Sequence, residues 1–103
     1  LIRNLEEGKV GVARTQVCNL VKALGHYRVR KGSYPSNSEG LAALVSSGVW
    51  GKRKVPKDPW GNEYVYRQRS TTNPDAPDVY SLGADGKEGG TTSTTKDVRC
   101  EKD

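Results

Sequence analysis

The chain has no phenylalanine and no methionine, and only one histidine and two cysteines among 103 residues. Without Phe or Met, a core must be built from Leu, Val and Ala, with five Tyr and two Trp supplying bulk. Hydrophobic residues make up 33% of the chain, so that core is thin, and a domain of this size has a narrow stability margin. Reinforcement by a disulfide, a metal or a partner chain is therefore expected. One histidine and two cysteines are too few for a zinc site. Nucleophilic catalysis also lacks parts: His26 falls on a helix face beside Tyr27 and Arg28, and no serine lies in a nucleophile elbow. No apolar run approaches the roughly 20 residues that span a bilayer. The chain opens at Leu1 rather than Met, and we read it as a processed or shortened form whose membrane segment, if any, lies upstream.

What is present is basic and punctuated by turns. The net charge is +5, but the cations are scattered through Lys22, Arg28, Arg30, Lys31, the Lys52–Lys57 stretch, Arg67 and Arg69. Aromatic interleaving occurs only at Tyr64 and Tyr66, and no nucleic-acid motif is present, so no nucleic-acid partner is expected. The size fits one domain, divided as a helix over 1–31, a loop with a short helix over 32–62, strands over 63–83 and a C-terminal loop over 84–103.

Val10, Ala13, Val17, Leu20, Val21, Leu24 and Tyr27 recur at helical spacing, and Gly32 with Pro35 supplies a stop. Ser36 and Glu39 form a capping-box signature before Leu41, Ala42, Leu44 and Val45, a second helix ending near Gly48. Asp58-Pro59-Trp60-Gly61 reads as a turn. The period then falls to two: Tyr64 and Tyr66 face opposite to Val65, and Val79 and Ser81 opposite to Tyr80 and Leu82. These elements predict an α+β fold, with a long amphipathic helix packed on a short helix and a small antiparallel sheet, followed by a long loop.

The glycine-rich stretch "SLGADGKEGG" is the main candidate for chemistry. It is not a phosphate loop: two residues separate Gly83 from Gly86, and Lys87 precedes an acid rather than Ser or Thr. Asp75, Asp78, Asp85 and Glu88 read as turn formers rather than as a glycosidase pair. Calcium is an alternative to a plain loop. Asp85, Glu88 and Asp97 supply carboxylates and Thr91, Thr92 and Ser93 weaker oxygens, although the acids do not recur as in an EF-hand. Cys18 and Cys100 either stay reduced or pair across nearly the whole chain. A bridge would suit a thin core in an oxidising compartment, and we expect it.

Three segments together carry a resemblance. "GSYPSNSEGLAALV", "DPWGNEYVYR" and "DVYSLGADGKEGG" resemble, in order and spacing, the major pseudopilin family of the type II secretion system. The resemblance covers Gly32 to Gly90, and the preceding helix fits by pattern. It implies a structural subunit with no enzyme active site. It also implies a leader removed by a prepilin peptidase and an apolar N-terminal helix, absent here, that sits in the bacterial inner membrane with this domain in the periplasm. Its implied partners are further copies in a homopolymeric filament, minor pseudopilins and an inner-membrane assembly platform that together export folded proteins. The related alternative is a type IV pilus subunit in adhesion, motility or DNA uptake. Members of the resembling family bind calcium through the carbonyl of a leucine and an aspartate that match Leu82 and Asp85. Where the family has further acids after the double glycine, this chain has "TTSTTKD", leaving only Asp97. The expectation is therefore that a Cys18–Cys100 bridge pins the C-terminal loop to the long helix and stands in for the calcium clamp.

Overall fold

The computed structural model describes residues 2–101, and side chains from Leu5 to Glu101. Residues 1, 102 and 103, the outermost positions of the expected first helix and last loop, lie outside the described residues. The elements are α1 (Ile2–Lys31), α2 (Ala42–Ser46), β1 (Val65–Arg67) and β2 (Asp78–Tyr80). Thirty residues of helix are about 45 Å long, which matches the longest dimension of the molecule, 44 Å. Helix α1 is thus the axle of the fold.

Only part of α1 is packed. Ala13, Val17, Leu20, Ala23, Leu24 and Tyr27 are buried, one stripe of a 3.6-residue period. Before Ala13 the helix leaves the core, and Leu5 and Val12 stay 62% and 51% exposed. Arg28, Arg30 and Lys31 in the last turn suit the negative end of the helix dipole. Gly32 ends the helix at φ 90°, its N–H donating to the Arg28 carbonyl at 2.7 Å.

The capping box forms but does not start the helix. The Ser36 hydroxyl accepts the Glu39 N–H at 3.2 Å, and Glu39 Oε1 accepts the Ser36 N–H at 3.0 Å. Gly40 then takes φ 60°, a left-handed conformation that breaks the helix, so α2 begins only at Ala42. Gly48, at φ 82°, follows its end.

β1 and β2 pair antiparallel, with Val65 opposite Tyr80, Tyr66 opposite Val79 and Arg67 opposite Asp78. Both strands are shorter than the alternation suggests. Ser81 leaves the sheet to bridge Val98, which ends the ladder at Tyr80. The expected in-and-out pattern is also lost on β2, since Val79, Tyr80 and Ser81 are all buried. Val79 joins the α1 core with Leu44 and Tyr64, whereas Tyr80 lies under the C-terminal segment, with the Arg99 guanidinium 4.2 Å from its ring centre.

The missing phenylalanines have a structural consequence. Tyrosines fill their places, and each buried hydroxyl needs a partner. Tyr64 donates to Gln16, Tyr66 to the Pro35 carbonyl at 2.7 Å, and Tyr80 to the Glu88 carboxylate at 2.7 Å. Burial pushes the Tyr64 and Tyr66 phenols well above their ordinary range, so both remain proton donors at any physiological pH.

Candidate functional site: the C-terminal loop and its anchors

The loop from Ser81 to Cys100 is built on one buried carboxylate. Asp58 is 4% exposed. Its Oδ1 accepts the Trp60 and Asn62 N–H groups at 3.0 and 2.8 Å, and its Oδ2 accepts the Ser81 hydroxyl at 2.7 Å. Ser81 Oγ in turn accepts the Gly83 N–H at 3.1 Å. Three donors offset the desolvation of the charge, and they tie the Asp-Pro-Trp-Gly turn to the strand that launches the loop.

Gly83 and Gly90 let the loop fold back on itself. At Gly83 (φ 81°) a Cβ would lie 2.9 Å from the Thr94 and Lys96 carbonyl oxygens and 3.1 Å from that of Thr95. At Gly90 (φ 95°) a Cβ would collide with the Thr95 carbonyl. The returning arm, 94–96, therefore crosses these glycines at a distance no side chain permits.

Beyond that crossing the chain is fastened at successive residues. Val98 exchanges two backbone hydrogen bonds with Ser81, at 2.8 and 2.9 Å. Arg99 makes a bidentate pair with Asp78 at 2.9 and 3.1 Å, which raises its already high pKa. Cys100 is disulfide-bonded to Cys18 of α1 with Cα atoms 4.8 Å apart, and Arg14 approaches Glu101 at 3.5 Å. The bridge spans 82 positions of sequence, worth about 4.5 kcal/mol in the chain-entropy account.

The calcium candidates sit in this loop as follows. Leu82 is half-buried at its foot. Asp85 is exposed, its Oδ1 accepting the Lys87 N–H at 3.1 Å, and Asp97 accepts the Gly89 N–H through Oδ2 at 3.2 Å. Asp97 Oδ1 is buried without a hydrogen-bond partner, and it is the oxygen a cation would satisfy. Among the described residues no three acidic, histidine or cysteine side chains converge as a metal cluster. Of the candidates, only Asp97 offers a buried carboxylate oxygen without a partner, while Asp85 turns its carboxylate to the Lys87 amide. Sequence and structure meet differently at the two candidate pairs. Cys18 and Cys100 are brought into a bond, whereas each aspartate is held by an amide of its own loop.

A family model described as type II secretion system (T2SS), protein G, matches residues 1–100. The chain belongs to this family. It is 42% identical over 96 residues to the type II secretion system core protein G of Pseudomonas aeruginosa, covering 82% of this chain and 66% of that protein. With the Vibrio cholerae core protein G it shares 39% identity over 101 residues, covering 87% and 67%. The chain thus spans about two thirds of the length of these relatives. Its fold is similar to the crystal structure of the major pseudopilin from the type 2 secretion system of enterohaemorrhagic Escherichia coli. The TM-score is 0.76 at 26% identity, covering 95% of this chain and 87% of that one.

Within this protein G family member, the residues that sequence reasoning missed are Asp58 and Ser81. Asp58 reads locally as a turn former and Ser81 as a strand residue. Their bond joins positions 23 apart. The available signal was a serine, rather than an apolar residue, on the inward side of a strand.

Proposed function

We propose that this chain is a structural subunit of a type II secretion pseudopilus, polymerising with further copies of itself and supporting export of folded proteins across the outer membrane. The observation that carries this reading is the match of residues 1–100 to the protein G family, joined to a fold shared with a major pseudopilin. Two physical features support it. A helix as long as the molecule leaves its first turns outside the core, as a subunit that packs through that helix requires. A disulfide-bonded cysteine pair suits an oxidising compartment such as the periplasm. The assignment is to a structural rather than a catalytic subunit. Minor pseudopilins and an inner-membrane assembly platform are its remaining partners, with attachment to that membrane through a segment outside this sequence.

The Cys18–Cys100 bridge is the main clamp of the C-terminal loop, and calcium held by the Leu82 carbonyl, Asp85 and Asp97 is an accessory. Calcium should accordingly raise the melting temperature of a Cys18→Ser/Cys100→Ser variant more than that of the bridged chain. An equal shift would put the metal and the bridge on independent footings and end the accessory reading.

The function is tested in a secretion-competent bacterium deleted for its own protein G. Expression of the full-length protein should restore surface filaments and export of the folded proteins that the system secretes. Stable, oxidised protein that restores neither would refute the assignment.

A further inference from the structure

A groove of about 700 Å³ runs between α2 and the basic segment that follows it. Its α2 side is apolar, made by Leu41, Ala42 and Val45, and Val55 and Tyr66 also line it. The other side carries Arg53, Lys54 and Lys57, all exposed and none within 4 Å of an acid among the described residues. Two acids also line the groove: Glu39 is committed to the Ser36 amide and hydroxyl, and exposed Glu63 offsets one of the three cations, so the balance of uncommitted charge is basic. The groove is therefore apolar on one side and cationic on the other.

A surface of the opposite character lies on the first turns of α1. On α1 successive residues turn by about 100°, so Leu5 and Val12 share one flank, Gly8 and Gly11 the outward ridge, and Glu7 the other flank. Leu5 and Val12 are exposed apolar residues, and Glu7 is exposed. Gly8 and Gly11 are unexplained by the chain's own fold. Neither has a positive φ, and a Cβ at either would meet nothing within 4 Å. Glycine in a helix interior is unfavourable, whereas a bare ridge lets another backbone or wall approach closely.

We propose that the first turns of α1 of one copy dock in the groove of the next copy. Gly8 and Gly11 face into the groove, Leu5 and Val12 lie along its α2 side, and Glu7 meets Arg53 and Lys54. The inference deepens the filament reading and rests on it. The two surfaces are different patches: α2 sits by the C-terminus of α1, where Arg30 donates to the Ser47 carbonyl at 3.1 Å, whereas Leu5, Glu7 and Val12 lie in its first turns. A contact between different patches is heterologous and adds copies without closing, which is what a filament needs.

The test has two arms. In the 103-residue chain at millimolar concentration, dilution should shift the amide resonances of both Leu5–Val12 and the α2 and 53–57 walls. Glu7→Lys or Lys54→Glu alone should weaken that association roughly three- to tenfold, and the double exchange should restore it. Gly8→Ala/Gly11→Ala should raise the melting temperature by about 4 °C while weakening association, opposite signs that a folding defect cannot produce. In filaments on cells, Glu7→Cys with Lys54→Cys should give a ladder of multimers with a bifunctional maleimide, and either cysteine alone should give none. Absence of dilution shifts at either surface overturns the proposal. Filaments without the ladder also overturn it while leaving the filament function intact. Paired dilution shifts in a protein that builds no filaments would instead uphold the contact and remove the function.

Discussion

The α1 core and the C-terminal loop lie side by side and are held by different forces. The core is an apolar stripe from Ala13 to Tyr27 packed on Leu44, Tyr64 and Val79, with Val17, Leu20 and Leu24 fully buried. The loop buries little besides Val98 and is fixed by a covalent bond, a buried carboxylate, an ion pair and two glycines that allow close crossing. The core loses stability in proportion to the apolar volume removed. The loop loses it in steps, one fastener at a time.

Removing the bridge should be the largest single blow. Cys18→Ser/Cys100→Ser is expected to cost about 4.5 kcal/mol, a large share of the 5–15 kcal/mol typical of a domain. Urea denaturation should record the loss, and hydrogen exchange should show the segment after Ser81 opening before α1. Simultaneous exchange of both would make loop and core one cooperative unit and break the distinction.

Leu24→Ala attacks the other side of the comparison. It should cost about 3 kcal/mol through lost transfer energy and a cavity, leaving the loop's exchange order unchanged in native-state measurements. Asp58→Ala should cost about 2 kcal/mol by stranding the Trp60 and Asn62 amides and the Ser81 hydroxyl. Asp58→Asn should cost less, because its amide oxygen still accepts from both backbone groups. Thermal melts of the two variants side by side give the difference.

The smallest effect joins the free turns of α1 to the loop's foundation. Glu6 accepts the Trp60 indole N–H at 2.7 Å, and that hydrogen bond holds its carboxyl below the usual range, with Lys9 helping and partial desolvation opposing. A depressed carboxylate stabilises the fold above its unfolded pKa and loses that contribution as pH falls through the folded value. Trp60 fluorescence should therefore change below about pH 4.5, the ordinary value for the group, and Glu6→Gln should abolish the change. A titration unaltered by that substitution would place the pH response elsewhere.

The parts legible in the sequence were the local ones. The Ala13–Tyr27 stripe, the Gly32 stop and the Asp58–Gly61 turn each depend on neighbours a few residues away, and the sequence states those neighbours directly. The capping box was legible too, but Gly40 set the true start of α2, because its left-handed conformation outweighed the helix-forming residues after it. The burial of Tyr80 was not legible, since its cover comes from Arg99, nineteen positions on.

By itself, then, the sequence determined the long amphipathic helix, the turn chemistry, the supply of two cysteines and the motifs that mark the family. Tertiary structure alone decided that the cysteines meet, that Asp58 is buried against Ser81, and that the returning arm pairs with Ser81 beyond β2 and lays Arg99 over Tyr80. The reason is range. Helix periodicity and turn conformations are set over three to five residues, whereas each fastener of the loop joins groups about 20 to 80 positions apart. Only a collapsed core brings such groups within bonding distance and excludes enough water to make a buried carboxylate prefer three protein donors.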